Sequence, residues 1–121
     1  MRTLVILNHD LSADQIAELG GEIETLSPME KHIWGQVPAE GTIEQVCEHL
    51  SPILDRLPGF DRVVCQGEFT AFVCVLDECR ELGIPVLVAC SRRETVETVD
   101  ASGASTKTAV FRHVQFRVVQ P

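Results

Sequence analysis

Polar side chains able to bind or transform a ligand follow three apolar segments of this sequence. The three polar clusters are Asn8–Asp10, Gln66–Glu68 and Cys90–Arg93. In an α/β sheet with parallel strands, the carboxyl ends of the strands share one edge, and ligands bind outside that edge near a switch in strand order. The sequence therefore predicts a single binding site to which all three clusters contribute.

Each cluster carries a group with a recognisable chemical use. His9 carries an imidazole, which can donate to a phosphate oxygen or act as a general acid or base. Arg92 and Arg93 are planar, permanently charged donors suited to phosphate. Gly67 lets a backbone approach a ligand closely, and the carboxylate of Glu68 can hold a ribose hydroxyl or an adenine amine. Together these groups indicate a small anionic nucleotide.

Each of these signals also has a purely structural interpretation. A histidine after a strand often caps a helix or stays solvated, adjacent arginines often form a solvated face, and Gly-Glu is a common strand-to-helix turn. Trp34, the single tryptophan, is expected to fill the core rather than to stack on a base. The shared position of the clusters at strand ends is the observation that favours a site.

The charge of the chain limits its partners. A net charge of −8 argues against a protein that coats long nucleic acid. The charge is uneven, because residues 1–89 hold 5 Lys and Arg against 15 Asp and Glu, whereas residues 90–121 hold 5 against 3. An acidic body with a locally basic last quarter suits a small anionic ligand bound in one pocket.

Apolar runs and cysteines indicate the compartment. No apolar run approaches the roughly 18 residues of a membrane span, and the start Met1–Leu7 is interpreted as a first strand rather than a signal peptide. We therefore expect a cytoplasmic protein with no membrane partner. The five cysteines form no CxxC pair and lack the spacing of a zinc site, so we expect reduced, mostly buried thiols and neither metal nor cofactor. Functional, redox-active cysteines are the alternative.

Apolar strands alternate with helical patterns, which predicts one α/β domain over residues 1–121 with a mostly parallel sheet. Predicted strands cover Leu4–Leu7, Ile23–Leu26, Arg62–Cys65 and Pro85–Ala89, and predicted helices begin at Ser12, Ser27, Thr42 and Glu68. The third helix is expected to end near Leu57. A C-terminal hairpin is expected at the turn Asp100–Gly103, followed by a last strand, Val114–Val119. The sequence of Arg92–Val99 fits either a strand or a short helix.

Five segments of the chain resemble a known protein family. They are Asn8–Ser12, Ile33–Pro38, Gln66–Thr70, Ser91–Glu94 and Val110–Arg117. In these segments, which span nearly the whole length, the chain resembles the small Csx-type ancillary proteins of type III CRISPR systems, and among them the family numbered twenty. It departs from that family's pattern after Arg117, where Val118-Val119 replaces a charged and aromatic ending.

The resemblance implies a fold, an activity and a set of site residues. The implied fold is Rossmann-like, related to the CARF-like domains that sense cyclic oligoadenylates. The implied activity is that of a ring nuclease, which ends an antiviral response by cleaving a cyclic RNA messenger, cyclic tetra-adenylate above all. The implied site comprises Asn8, His9, Gln66, Gly67, Glu68, Thr70, Ser91, Arg92 and Arg93, with Arg112 and His113 as a further wall.

Cleavage of this kind needs no metal, because a ribose 2′-OH can attack its own phosphodiester. Arg93 or Arg92 would stabilise the phosphate and His9 would handle the proton. A twofold-symmetric cyclic ligand also predicts a homodimer with the ligand across its axis. A protein that binds the messenger without cleaving it, and an unrelated redox or nucleotide-binding α/β protein, are the alternatives.

Overall fold

The computed structural model covers residues 1–121 and is built around one five-stranded sheet. The strands are β1 (Arg2–Ile6), β2 (Glu22–Thr25), β3 (Arg62–Cys65), β4 (Val86–Val99) and β5 (Ser105–Gln120). They lie in the order β2-β1-β3-β4-β5; the first four are parallel and β5 is antiparallel to β4. The expected α/β class with a mostly parallel sheet is confirmed.

Four of the five helices begin where the sequence signals predict. The helices are α1 (Ala13–Leu19), α2 (Pro28–Gly35), α3 (Ile43–His49), α4 (Ser51–Leu54) and α5 (Phe69–Leu82), and α4 is the exception. Ser12, Ser27 and Thr42 each cap a helix through a capping box, in which the cap side chain and the third helical residue exchange hydrogen bonds. No helix is long and apolar enough to cross a membrane.

The helix expected from Thr42 to Leu57 is interrupted at Leu50, so that α3 and α4 are separate. Pro52 explains the interruption. It has no N–H and therefore cannot bond the carbonyl of Glu48 as a continuous helix requires. The hydroxyl of Ser51 donates to that carbonyl instead, at 2.7 Å.

Both faces of the sheet are covered, but unequally. Helices α2 to α5 cover one face, where the larger hydrophobic cluster includes Leu4, Ile6, Val63 and Cys65 from the two central strands. The other face carries α1 alone. Burial on both faces explains why the central strands are continuous apolar runs, as is usual for parallel strands.

The fourth predicted strand was expected to end at Ala89, and this is wrong. β4 continues to Val99, so the open choice for Arg92–Val99 is resolved as strand. Only Val86 and Leu87 of β4 pair with β3, and every later residue pairs with β5 alone. Residues 92–112 thus form a two-stranded ribbon beyond the sheet, named the arm here. At its tip, Asp100 Oδ1 accepts from the backbone N–H groups of Ser102 and Ala104 at 2.9 and 3.0 Å.

One cysteine pair corrects the expectation that all five thiols are reduced. Cys47 of α3 and Cys74 of α5 form a disulfide, with Cα atoms 5.7 Å apart and a sequence separation of 27. Helix packing brings the two together, and nothing in their spacing signals it. Cys65 and Cys79 are buried free thiols, and burial raises the pKa of both, that of Cys79 to about 11.

The disulfide gives a testable contribution to stability. Reduction with dithiothreitol is expected to lower the free energy of unfolding by about 2–4 kcal/mol, because the closed loop restricts the unfolded chain. Urea unfolding with and without reductant measures this change. The double variant Cys47→Ala/Cys74→Ala is the control, and its stability should not respond to reductant. A parent protein equally indifferent to reductant contradicts the assignment.

Candidate functional site

The sheet reverses its strand order between β1 and β3. From β1 the chain moves outward to β2, and β3 then pairs with the opposite side of β1. Such a switch opens a crevice at the carboxyl ends of the two strands. A cavity of about 260 Å³ lies there, lined by Asn8, His9, Trp34, Gln66 and Gly67. We name it the switch-point cavity; it unites four of the residues predicted for the site.

Trp34 forms the buried wall of the switch-point cavity. It lies on α2 with 2 % of its surface exposed, as expected for a core residue, and its indole N–H donates to the carbonyl of Gln66 at 3.0 Å. A Cβ added to Gly67 would lie 2.6 Å from three atoms of the indole ring. Residue 67 must therefore be glycine, because any side chain there would clash with the indole of Trp34.

His9 is the one titratable residue that lines this cavity, and it is exposed. Its Nδ1 lies 3.2 Å from the carbonyl oxygen of Asp10, so that nitrogen carries the proton and donates. Nε2 has no protein partner and is available to a ligand. Asn8 lies beside it, close to the end of α2 at Gly35. The lining is thus polar and contains no lysine, arginine or carboxylate.

Glu68 has a structural task that the sequence did not reveal. It is the N-cap of α5, and its two carboxylate oxygens accept from the backbone N–H groups of Thr70 and Ala71 at 3.0 and 2.9 Å. These hydrogen bonds hold the pKa of Glu68 below its usual range. The carboxylate occupies the position at the start of α5 where an anion would otherwise bind.

Glu68 and Thr70 line a second cavity of about 480 Å³, bounded mainly by the loop 37–42. Phe69 stands between these two residues and is 80 % exposed. Phe69 is not among the site residues predicted from the sequence, although the helical pattern of α5 predicts that this residue is exposed. The buried positions of α5 include Ala71, Cys74 and Val75, and a residue two before Ala71 falls outside that stripe.

A third cavity, of about 450 Å³, lies beside Cys47. Glu44, Glu48 and Asp77 are among its lining residues. Three carboxylates repel an anionic ligand, so this cavity does not suit the predicted nucleotide.

The third predicted cluster does not join the others. Ser91, Arg92 and Arg93 are exposed on β4 and line none of the cavities. Val64 pairs with Leu87, so Arg92 lies about three residues, or about 10 Å, beyond the level of Gln66. Successive side chains of a strand point to opposite faces. Arg92 and Arg93 therefore cannot both face one ligand in the same protomer.

Arg112 and His113 are engaged in other contacts. Arg112 Nε donates to Glu94 across the arm at 2.5 Å. His113 has 7 % of its side chain exposed, and its Nε2 lies 2.8 Å from Glu18 Oε1 of α1, whose other oxygen accepts from the backbone N–H of Phe116. His113 thus fastens the base of the arm to α1, on the sheet face opposite Trp34.

The fold and the cavity define an α/β protein with a mostly parallel sheet and a polar crevice at its switch point. No three His, Cys, Asp or Glu side chains come together as a set of metal ligands. The chain belongs to the uncharacterized protein MJ1673 family, whose pattern matches residues 1–117. No curated protein matches the chain.

The contact between Gly67 and Trp34 gives a prediction about the wall of the cavity. Gly67→Ala is expected to cost about 1–3 kcal/mol of stability in urea unfolding, because the new methyl group must displace the indole. The same substitution in a Trp34→Phe background should cost less, since the indole edge is gone. Equal costs in the two backgrounds would show that the contact is not what requires glycine.

The cap on α5 gives a prediction about pH. Folding lowers the pKa of Glu68, so its carboxylate stabilises the folded protein at pH values above the pKa of the unfolded state, near 4.3. This stabilisation is lost as the pH falls through the lower pKa of the folded state. Glu68→Gln is therefore expected to be less stable than the parent at pH 7, with the difference shrinking toward pH 3. Glu81→Gln, on the same helix and without a hydrogen bond to lose, is the control in urea unfolding at both pH values.

Proposed function

We propose that this chain is a CRISPR-associated ring nuclease with a Rossmann-like, CARF-like fold, which binds cyclic oligoadenylate and cleaves it to end type III antiviral signalling. Cyclic tetra-adenylate is the proposed substrate. The observation that carries the proposal is the meeting of Asn8, His9, Gln66 and Gly67 in one exposed polar cavity at the switch point. Ligand binding at this position is the general rule for open α/β sheets.

The proposed reaction uses the nucleophile that RNA carries. A ribose 2′-oxygen attacks the adjacent phosphorus and forms a P–O2′ bond, while the bond from phosphorus to the 5′-oxygen breaks. The 2′ proton passes to water and the leaving 5′-oxygen gains a proton, which yields a linear product with a 2′,3′-cyclic phosphate. The protein must hold attacking and leaving oxygens in line and stabilise charge on the phosphate.

Specific side chains suit these tasks. Because Nδ1 of His9 donates to the carbonyl of Asp10, Nε2 is the atom that faces the substrate. As an imidazolium, His9 would protonate the leaving oxygen through Nε2; as a neutral ring it would accept from the 2′-OH and orient it. Arg93 or Arg92 would stabilise the phosphate. Gln66 would hold a ribose or base from the cavity edge. Phe69, an exposed aromatic residue between two residues that line the second cavity, suits base stacking, which is worth about 1–3 kcal/mol per base.

Three further residues of the implied site have supporting roles in this proposal. Glu68 retains free lone pairs beside its two backbone hydrogen bonds and can still accept from a ribose hydroxyl or an adenine amine. Ser91 would contact a ribose. Thr70 lines the neighbouring cavity, which would take an adjacent nucleotide of the ring.

The size of the cavity supports a homodimer as the functional unit. A volume of about 260 Å³ falls below the range of about 300–1,000 Å³ typical of pockets for small ligands. A cyclic tetranucleotide would therefore be shared between two switch-point cavities across a twofold axis.

A second candidate function is a sensor or sponge that binds the messenger without cleaving it. The specific observation in its favour is the lining of the switch-point cavity, which contains no cation to stabilise a transition state. Arg92 and Arg93 lie beyond its rim. In this alternative the same residues bind the ring, which stays intact.

Incubation with cyclic tetra- and hexa-adenylate in EDTA tests the proposal, with products separated by chromatography. Linear fragments that end in 2′,3′-cyclic phosphate are the expected result. Intact rings together with tight binding in a titration would support the sensor, and intact rings without binding would overturn both functions.

Variants then test the roles. His9→Ala and Arg93→Ala are each expected to slow cleavage by about tens- to thousands-fold, from the usual contributions of general acids and of charge stabilisation. His32→Ala and Arg117→Ala are matched controls, because both side chains are exposed and outside the cavities. If His9→Ala and Arg93→Ala cleave like the parent, the assignment of these two residues is wrong.

A further inference from the structure

The arm is the least supported part of the molecule. None of residues 92–112 belongs to the buried core, and every hydrogen bond and ion pair they make stays within the arm. An isolated two-stranded hairpin is at best marginally stable in water, because it has no third layer on which to bury apolar side chains. A ribbon of this length is therefore expected to pack against another surface that covers it.

The exposed side chains of the arm suit a protein surface. Phe111 is 71 % exposed and Val99 is 67 % exposed, which leaves two large apolar groups in water. Arg92 and Arg93 make no ion pair, whereas Arg112 is neutralised by Glu94. The surface that covers the arm should therefore offer apolar contact and negative charge.

The body of this chain offers that negative charge. Residues 1–89 carry 15 acidic against 5 basic residues, whereas the arm carries four basic residues, Arg92, Arg93, Lys107 and Arg112, against three acidic ones. The arm makes no hydrogen bond or ion pair with its own body, so it does not use this attraction within one protomer. A second copy presents the same acidic body in a position that the arm can reach, and twofold symmetry lets both arms do so at once.

We propose that the arm of each protomer packs against the body of a second copy and carries Arg92 or Arg93 to the partner's switch-point cavity. The part concerning the cavity rests on the proposed function. Nine residues of strand from Ser91 to Val99 reach about 30 Å, enough for the arm to lie along a neighbouring domain of this size. Arg92 and Arg93 lie at the base of the arm, so the partner's switch-point cavity would meet the arm there. The exchange accounts for two features together, namely a cavity without a cation and two arginines without a partner.

Light scattering tests the interface without any nucleotide. The parent is expected to be a dimer, and Phe111→Thr is expected to shift it toward monomer, since threonine keeps the preference for strand and removes the aromatic surface. Leu82→Thr removes an exposed apolar side chain off the arm, at the end of α5 opposite to its Glu68 cap, and should stay dimeric. Circular dichroism checks that both variants are folded. A monomeric parent, or equal behaviour of the two variants, overturns the proposal.

Salt dependence tests the electrostatic part. Raising the salt from 0.05 to 0.5 M in this experiment should weaken the dimer, because exposed charges are screened. Arg92→Glu/Arg93→Glu should weaken it at low salt. A dimer that responds to neither change contradicts the attraction between arm and body.

Cross-linking tests the position of the arm. His9→Cys and Arg93→Cys are placed on separate chains in a Cys90→Ser background, mixed, and treated with a short bis-maleimide. A covalent heterodimer is expected, whereas Lys107→Cys, near the tip of the arm, should cross-link to His9→Cys much less. A dimer that forms without this cross-link overturns the proposed exchange of arms. Two chains joined along the free edges of their β5 strands would give that result. Neither readout depends on cleavage, so failure of this inference and failure of the ring-nuclease proposal are distinguishable.

Discussion

The parallel pairing of β1 with β3 is the constraint on which the rest of the structure depends. Its register sets Leu4 against Val63 and Ile6 against Cys65, and a further hydrogen bond from the N–H of Gln66 to the carbonyl of Ile6 extends it to the strand ends. Both strands are buried on both faces, so a one-residue slip would invert every side chain and is strongly disfavoured. The same register brings the residues after the two strands together at one crevice.

Trp34 links that crevice to the helical layer. Its ring is buried in the core while its N–H holds the carbonyl of Gln66, so α2 and the turn after β3 are positioned by one side chain. Gly67 permits the close contact, and Glu68 fixes the start of α5 with both carboxylate oxygens. Residues that resemble a ligand cradle in sequence thus have structural tasks. The unpaired nitrogen of His9, the side chain of Gln66 and the exposed ring of Phe69 have no such structural task and are available to a ligand.

The polar cavity and the arginines that could bind an anion lie in different parts of the protomer. Its base is fastened to α1 by His113 and Glu18, whereas the rest has no contact that would hold it. The switch-point cavity is polar and lacks a cation, and the arginines that could supply one lie about 10 Å further along on opposite faces of a strand. In a single protomer the switch-point cavity and the two arginines are therefore separate, and the proposed exchange of arms is the route by which they would meet.

The sequence by itself determined the local features. Capping residues placed the starts of α1, α2 and α3, apolar runs placed the central strands, and the polar residues after β1 and β3 indicated where a site would lie. These follow from hydrogen bonds and periodicity within a few residues. The tertiary structure decided the rest, namely the disulfide of Cys47 with Cys74, the continuation of β4 past Ala89 and the separation of Arg92 from His9. Each of these features depends on which distant segments pair or pack against each other. The spacing of residues along the chain does not predict such long-range contacts.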